Sequence, residues 1–376
     1  MTETANLNHT VLPPLHFPST PPLRILAVAD LWQGSDGYAY IRAFRRLGHS
    51  VRVVPSENFI PADWERSSLR AIRRLCAPLF VREYSKALIK AAQELQPHLF
   101  FVFKGRYVAP EAVRAIRELG VAAINFYPDV SFMAHGSYLP QALPLYDWIF
   151  QTKTFGIQDL QHTLGVTHSS FLPPSFDPEV HYPVTLTAAE REYFAADVCF
   201  IGTHSPKKQR FVEHIARQLP QVRLRIWGSR WEQAGSLLAG KFEGRHILGL
   251  EYTKAIVASK INLGLLSEVR KGASSGDLIT ARTFQIPGTG AFMLHERTSE
   301  LPLYFAEGEE CGGFADPDEL VAKIAYYLEN EGERQRLAAA GRRRSLESGY
   351  AVEHRAAHII EKAKSINVRQ IMNYES

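Results

Sequence analysis

Arg282 and Gln285 stand three residues apart in SGDLITARTFQIPGTGAFMLHE, residues 275–296, with Asp277 ahead of them and a Pro-Gly-Thr-Gly segment behind. An arginine carried into so apolar a stretch has two readings, a clamp on phosphate oxygens or a structural salt bridge. In the segment that follows, Gly288 and Gly290 permit positive φ and a close approach of backbone to ligand, and Thr289 can cap a turn. It would serve as the wall of a binding pocket or as an ordinary turn between strands. A second cluster, FIGTHSPKKQR, puts Gly202 and Thr203 after an apolar run and Lys207, Lys208 and Arg210 at the start of a helix. The free N–H groups and positive end of such a helix attract anions before any side chain is counted, although a solvated basic first turn has the same sequence. Arg270 and Lys271, ahead of Gly272, follow the run INLGLL and would face the same cleft or form a surface loop.

These groups need elements to hold them. LRILAVAD, HSVRVVP, PHLFFVFKG, VAAINFYPD and YDWIFQTK are short apolar runs that alternate with helical patterns such as YAYIRAFRRLG and APEAVRAIRELG. Continuous apolar runs separated by helices predict an open parallel sheet covered on both faces, with ligands at the C-terminal ends of its strands. A proline-rich linker follows, and the alternation restarts with VCFIGTHS, VRLRIWG, a short strand around HILGL, and INLGLL. The expected organisation is a disordered leader over 1–22, a first Rossmann-like domain over 23–180, a linker over 181–195, a second Rossmann-like domain over 196–350 and a C-terminal helix over 351–376. Composition excludes several classes. A net charge of +4 on 43 basic and 39 acidic residues is too small to imply a nucleic-acid partner. Three scattered cysteines propose neither a disulfide framework nor a zinc site, and no apolar run suits a membrane span. A cytoplasmic protein is expected. Phosphate-loop, dinucleotide-fingerprint and nucleophile-elbow motifs are missing, which lowers ATPase, oxidoreductase and hydrolase readings.

The pattern Arg282-x-Phe284-x5-Gly290-x-Phe292-x-Leu294, together with Glu319 and Leu320, NFYPD, LYDWIF around Asp147 and LPPSFDPEVHYP, resembles the spore-maturation CgeB-type glycosyltransferases. The resemblance spans about residues 23–362. It implies the GT-B class: two Rossmann-like α/β/α domains facing each other across a cleft, the first for the acceptor and the second for the nucleotide-sugar donor, and a last helix that packs back on the first domain. It also implies a nucleotide-diphosphate sugar as co-substrate, with a glycan or small-molecule acceptor and no other cofactor. In related retaining enzymes a Glu-x7-Glu motif addresses the donor sugar and the ribose hydroxyls. Its positions here are Asp277 and Gln285, and an amide at Gln285 can still hold a diol, without charge. An alternative for Gln285 is an amide satisfying local backbone.

An inverting transferase needs a general base near the acceptor hydroxyl, whereas a retaining one can use the departing phosphate. Candidates on loops after the first-half strands are Asp129, Asp36 and His135, of which Asp129 could equally be a turn-capping aspartate after Pro128. Asp316-Pro-Asp318 has the form of a metal-binding pair but reads better as a helix N-cap followed by acidic first-turn residues, so no metal is assigned. Two further functions stay open: a sugar-nucleotide epimerase or hydrolase of the same architecture, and a non-catalytic binding protein, to which the departures at Asp277 and Gln285 give weight.

Overall fold

The computed structural model describes residues 21–60 and 70–374, so all but the last two residues of the expected leader lie outside it. The first half runs β1 (Arg24–Val28), α1 (Asp36–Arg46), β2 (Ser50–Val53), α2 (Arg70–Leu95), β3 (Leu99–Phe103), α3 (Pro110–Glu118), β4 (Ala122–Tyr127), α4 (Tyr138–Ala142), β5 (Trp148–Gln151), α5 (Thr154–Leu164) and β6 (Ser169–Phe171). Its strands form one parallel sheet in the order β2-β1-β3-β4-β5-β6. The runs are continuously apolar because both faces are covered. Leu26, Phe100, Val102 and Ala123 point into one core, and Ile25, Ala27, Phe101 and Ile124 into the other.

The second half contains α6 (Ala188–Phe194), β7 (Ala196–Ile201), α7 (Pro206–Gln218), β8 (Leu224–Trp227), α8 (Gly249–Val257), β9 (Ser259–Gly264), α9 (Ala281–Gly288), β10 (Met293–Glu296), β11 (Gly312–Phe314), α10 (Pro317–Glu329), α11 (Glu331–Glu347) and α12 (Val352–Tyr374). The sheet order is β11-β10-β9-β7-β8, again all parallel. Each sheet reverses its winding between two neighbours, β1 and β3 in one and β7 and β9 in the other. Crevices open at such points because the two chains leave in opposite directions. Among the described residues no helix is long and apolar enough to cross a membrane.

Two chain crossings join the halves and lie side by side. Phe176 N donates to Tyr350 O (3.2 Å) and Val352 N to Phe176 O (2.9 Å). From there α12 returns to the first half, where Val352, Ala356, Ile359 and Ile360 pack with Ile41 and Phe44. Arg42 and Arg46 of α1 pair with Asp177 and Glu179 on one crossing, and Arg46 also with Glu353 on the other.

Two expectations fail. HILGL is no strand but the approach to α8 and its first two residues, because Gly249 turns there with φ +56° to let its backbone lie against Gly34 of the first half. Nor does PGTG join strands: it is the C-terminal end of α9, whose last residue, Gly288, presses on the Phe176 ring. A Cβ there would stand 2.8 Å from Phe176 Cγ. Gly288→Ala is therefore expected to cost about 1–3 kcal/mol by overpacking, read as a lower denaturant midpoint at constant slope.

Candidate functional site

The crevice ends of the two sheets face each other. On the second-half side, Ser205 caps α7 and Pro206 opens it. Lys208, in the first turn, is 4% exposed, and its Nζ donates to Thr203 O (3.3 Å) and Ser267 Oγ (3.0 Å). Burial, with the Arg282 guanidinium adding to it, pulls its pKa down to about 7. Arg282 enters from the start of α9, donates through Nη2 to Leu265 O (2.7 Å) and lies 5.3 Å from the centre of the Phe200 ring. Its buried Nε has no hydrogen-bond partner, and among the described residues no carboxylate pairs with it, so the salt-bridge reading of Arg282 does not hold. Gly202 lies directly beneath Arg282 Nη1, which leaves little room for a side chain.

The other basic residues are less enclosed. Lys207 pairs with Glu296 at the end of β10, and Arg210 is exposed a turn further along α7. Arg270 and Lys271 are exposed on a turn at the mouth of the crevice, where Lys271 contributes its carbonyl to Ser131 Oγ (2.7 Å).

Asp277 and Gln285 both reach across to the first half. Asp277 Oδ1 lies 2.7 Å from Lys153 Nζ, and its Oδ2 accepts from Ser267 N (3.2 Å). Burial alone would raise this carboxyl, but the Lys153 charge and the hydrogen bonds hold it below the ordinary range. Gln285 Oε1 accepts from Tyr252 OH (2.8 Å) and its Nε2 donates to Asp36 Oδ1 (3.2 Å), so its alternative as an amide serving local backbone does not hold. Gly288, Thr289 and Gly290 are not in the crevice. Helix α9 starts there and runs away from it, so Gly288 meets Phe176, Thr289 Oγ1 turns back to Ile286 O (2.7 Å), and Gly290, at φ +78°, lies beside Arg342 and Pro183.

On the first-half side, Asp36 is the first residue of α1, capped by Ser35. Its carboxylate opens onto the crevice yet is walled by protein. Scarce solvation, then the negative charges of Asp177 and Asp129, raise its pKa to about 6. Asp129 Oδ2 lies 2.6 Å from Lys104 Nζ and 2.9 Å from His135 Nε2. Burial would raise Asp129, but His135 and Lys104 outweigh it and keep the carboxyl well below the usual range. Lys104 holds φ +62°, a left-handed conformation that costs a non-glycine residue about 1–2 kcal/mol and aims its ammonium at Asp129. Asp316 caps α10 by accepting from Glu319 N (2.9 Å). Among the described residues no three His, Cys, Asp or Glu side chains are grouped to hold a metal ion.

Three residues of this crevice carry no motif: Lys153, Tyr252 and Ser267. Lys153 and Ser267 each lie just past the C-terminal end of a strand, β5 and β9, a position that by itself marks candidates in a doubly wound sheet.

Two doubly wound sheets with facing crevices, each lined by polar groups at the C-terminal ends of its strands, define the GT-B fold. Solved structures of the same fold bear this out. A sucrose-phosphate synthase from Thermosynechococcus elongatus superposes with TM-score 0.64 at 13% identity, over 92% of this chain and 100% of that one. A glycosyltransferase from Rickettsia africae gives 0.62 at 11%, over 92% and 99%. Anabaena HepE in complex with UDP gives 0.57 at 11%, over 91% and 100%. Residues 205–361 match the "Glycosyl transferase-like" family model, a segment that begins at the cap of α7 and includes Lys208, Asp277, Arg282 and Gln285. No curated protein matches the chain.

Proposed function

We propose that this protein is a glycosyltransferase that moves a sugar from a nucleoside diphosphate donor to an acceptor hydroxyl without a metal or other cofactor. One observation carries the reading: Lys208 and Arg282 are enclosed cations, each in the first turn of a helix, and neither is paired with a carboxylate. Such charges are costly to enclose unless an anion completes them, and a diphosphate supplies two or more negative charges at once. The likeness to HepE in complex with UDP makes UDP the first nucleotide to try.

In this reading Asp36 is the general base. It removes the proton from the acceptor hydroxyl, whose oxygen attacks the anomeric carbon as the bond to the diphosphate breaks. The departing diphosphate keeps the electron pair and is held by Lys208, Arg282 and the N–H groups of α7. With its pKa near 6, Asp36 is ionised at neutral pH and still basic enough to accept a proton. Asp129 is held too acidic for that task by Lys104 and His135, so it serves to orient His135 and the acceptor loop. The narrower likeness to CgeB-type transferases remains part of the proposal, carried by Arg282, Phe284, Gly290, Phe292 and Leu294.

The test is a thermal-shift and calorimetric panel of UDP, GDP, dTDP and CMP sugars on wild type and Arg282→Ala. Stabilisation by at least one donor, lost in the variant, is expected; stabilisation by none would end the proposal. Gln285→Glu offers a finer check. It places a second carboxylate where an amide now donates to Asp36, so the acidic limb of the rate profile should move above pH 6 while the donor still binds.

A further inference from the structure

Residues 265–280 leave the C-terminal end of β9 in the second half, and the first half holds them in three places. Ser131 Oγ donates to Lys271 O (2.7 Å), and Asp159 Oδ2 accepts from Ser274 N (3.0 Å). The third contact is the buried one: Lys153 Nζ lies 2.7 Å from Asp277 Oδ1 and 3.0 Å from Ile279 O, with side-chain exposures of 6% for Lys153 and 7% for Asp277. From Asp277 the chain of contacts continues inward. Asp277 Oδ2 accepts from Ser267 N (3.2 Å), and Ser267 Oγ accepts from Lys208 Nζ (3.0 Å). An unbroken path, Lys153 to Asp277 to Ser267 to Lys208, therefore links the acceptor half to the cation at the head of α7.

The path depends on the two halves being closed. Lys153 sits two residues beyond β5, immediately before α5, so its backbone moves with the first half, whereas Asp277, Ser267 and Lys208 move with the second. When the halves separate, Asp277 loses its cation and takes up water, because a buried carboxylate without its partner is strongly unfavourable. Ser267, whose N–H is held by the same carboxylate, then keeps only the bond from Asp277 N to its carbonyl (2.9 Å), and Lys208 loses a fixed acceptor. Contact with the first half thus selects the arrangement of the loop seen here.

We propose that Lys153 is a positioning residue that couples closure of the two halves to the grip of Lys208 on an anionic ligand, through Asp277 and Ser267. The identity of that ligand as a donor diphosphate rests on the glycosyl-transfer reading; the coupling does not. The arrangement makes the acceptor half a condition for full donor binding.

Hydrogen–deuterium exchange on the free protein and UDP calorimetry test this together. Lys153→Met should speed exchange over 265–280 at least tenfold while β1 and β7 keep wild-type rates, and should weaken UDP about tenfold. Lys153→Arg keeps the cation and should recover most of both. The pair Lys153→Met with Asp277→Asn leaves no unpaired buried carboxylate and so retains the fold, yet should bind UDP as weakly as the single variant. A purely structural lysine would not pass the last arm: in a Lys208→Met background, Lys153→Met should change UDP affinity less than twofold, because the path has lost its end. Wild-type exchange in Lys153→Met, or additive losses from Lys153→Met and Lys208→Met, would overturn the coupling. If wild type binds no nucleotide, the donor reading falls and the exchange result alone decides whether Lys153 latches the loop.

Discussion

Lys208→Met is expected to weaken UDP roughly 10- to 100-fold at pH 6.5, the loss that follows when a charge-assisted hydrogen bond of about 1.5–3 kcal/mol is removed. It should also abolish the pH dependence of binding. In the free protein, burial and the neighbouring Arg282 depress the Lys208 pKa to about 7. A bound diphosphate favours the charged ammonium and pushes that value back up, so binding takes up a proton wherever the free lysine is neutral. Affinity should fall by about tenfold per pH unit above pH 7, until the pKa of the complex is reached. Calorimetry at pH 8 in two buffers of different ionisation enthalpy reads the proton directly. The Met variant should show weak binding with no proton uptake. Wild-type affinity that stays flat from pH 6 to 9 would show that Lys208 does not meet the anion.

The second large effect concerns turnover. Asp36→Asn should lower kcat by about 10²–10⁴, the usual contribution of a positioned general base, while UDP affinity stays within about twofold. The two halves of this expectation separate chemistry from binding. Asp36 belongs to α1 in the first half and touches the second only through Gln285 Nε2, to which an asparagine can still present an oxygen. In wild type the rate should fall as pH drops through about 6, because protonated Asp36 cannot accept the acceptor's proton. With Lys208 titrating near 7, kcat/KM should trace a narrow bell. Its acidic limb should vanish in Asp36→Asn and its alkaline limb in Lys208→Met. An unchanged acidic limb in Asp36→Asn would move the base elsewhere, with the His135–Asp129 pair as the next place to look.

Much of the fold was legible in the chain itself. The runs LRILAVAD, PHLFFVFKG, VAAINFYPD and VCFIGTHS became β1, β3, β4 and β7 because strands covered on both faces have no polar side to show, and the helical patterns between them set the parallel winding. The head of α7 was legible too, since Ser205, Pro206 and the lysines behind them form a local capping signal. The stretch 275–296 was harder. Its mixed polarity comes from three successive duties: a loop clasped by the other half, a helix with Arg282 and Gln285 at its crevice end, and a buried strand. No single periodicity describes that, so PGTG reads as a pocket wall or a turn between strands, whereas it is the end of α9.

What the sequence alone determined is the set of local structures and the groups they carry: apolar strands, capped helices, and cations and carboxylates waiting just beyond strand ends. Only the tertiary structure decided which of those groups meet. Asp36 and Gln285 are 249 residues apart, and Lys153 finds Asp277 in the opposite half of the molecule. Their chemistry depends on the meeting, because the pKa of Lys208 follows from its burial and that of Asp36 from the crevice walls and the charges that the assembled elements bring around it. Burial of that kind belongs to the assembled crevice and leaves no periodic trace in either segment that builds it.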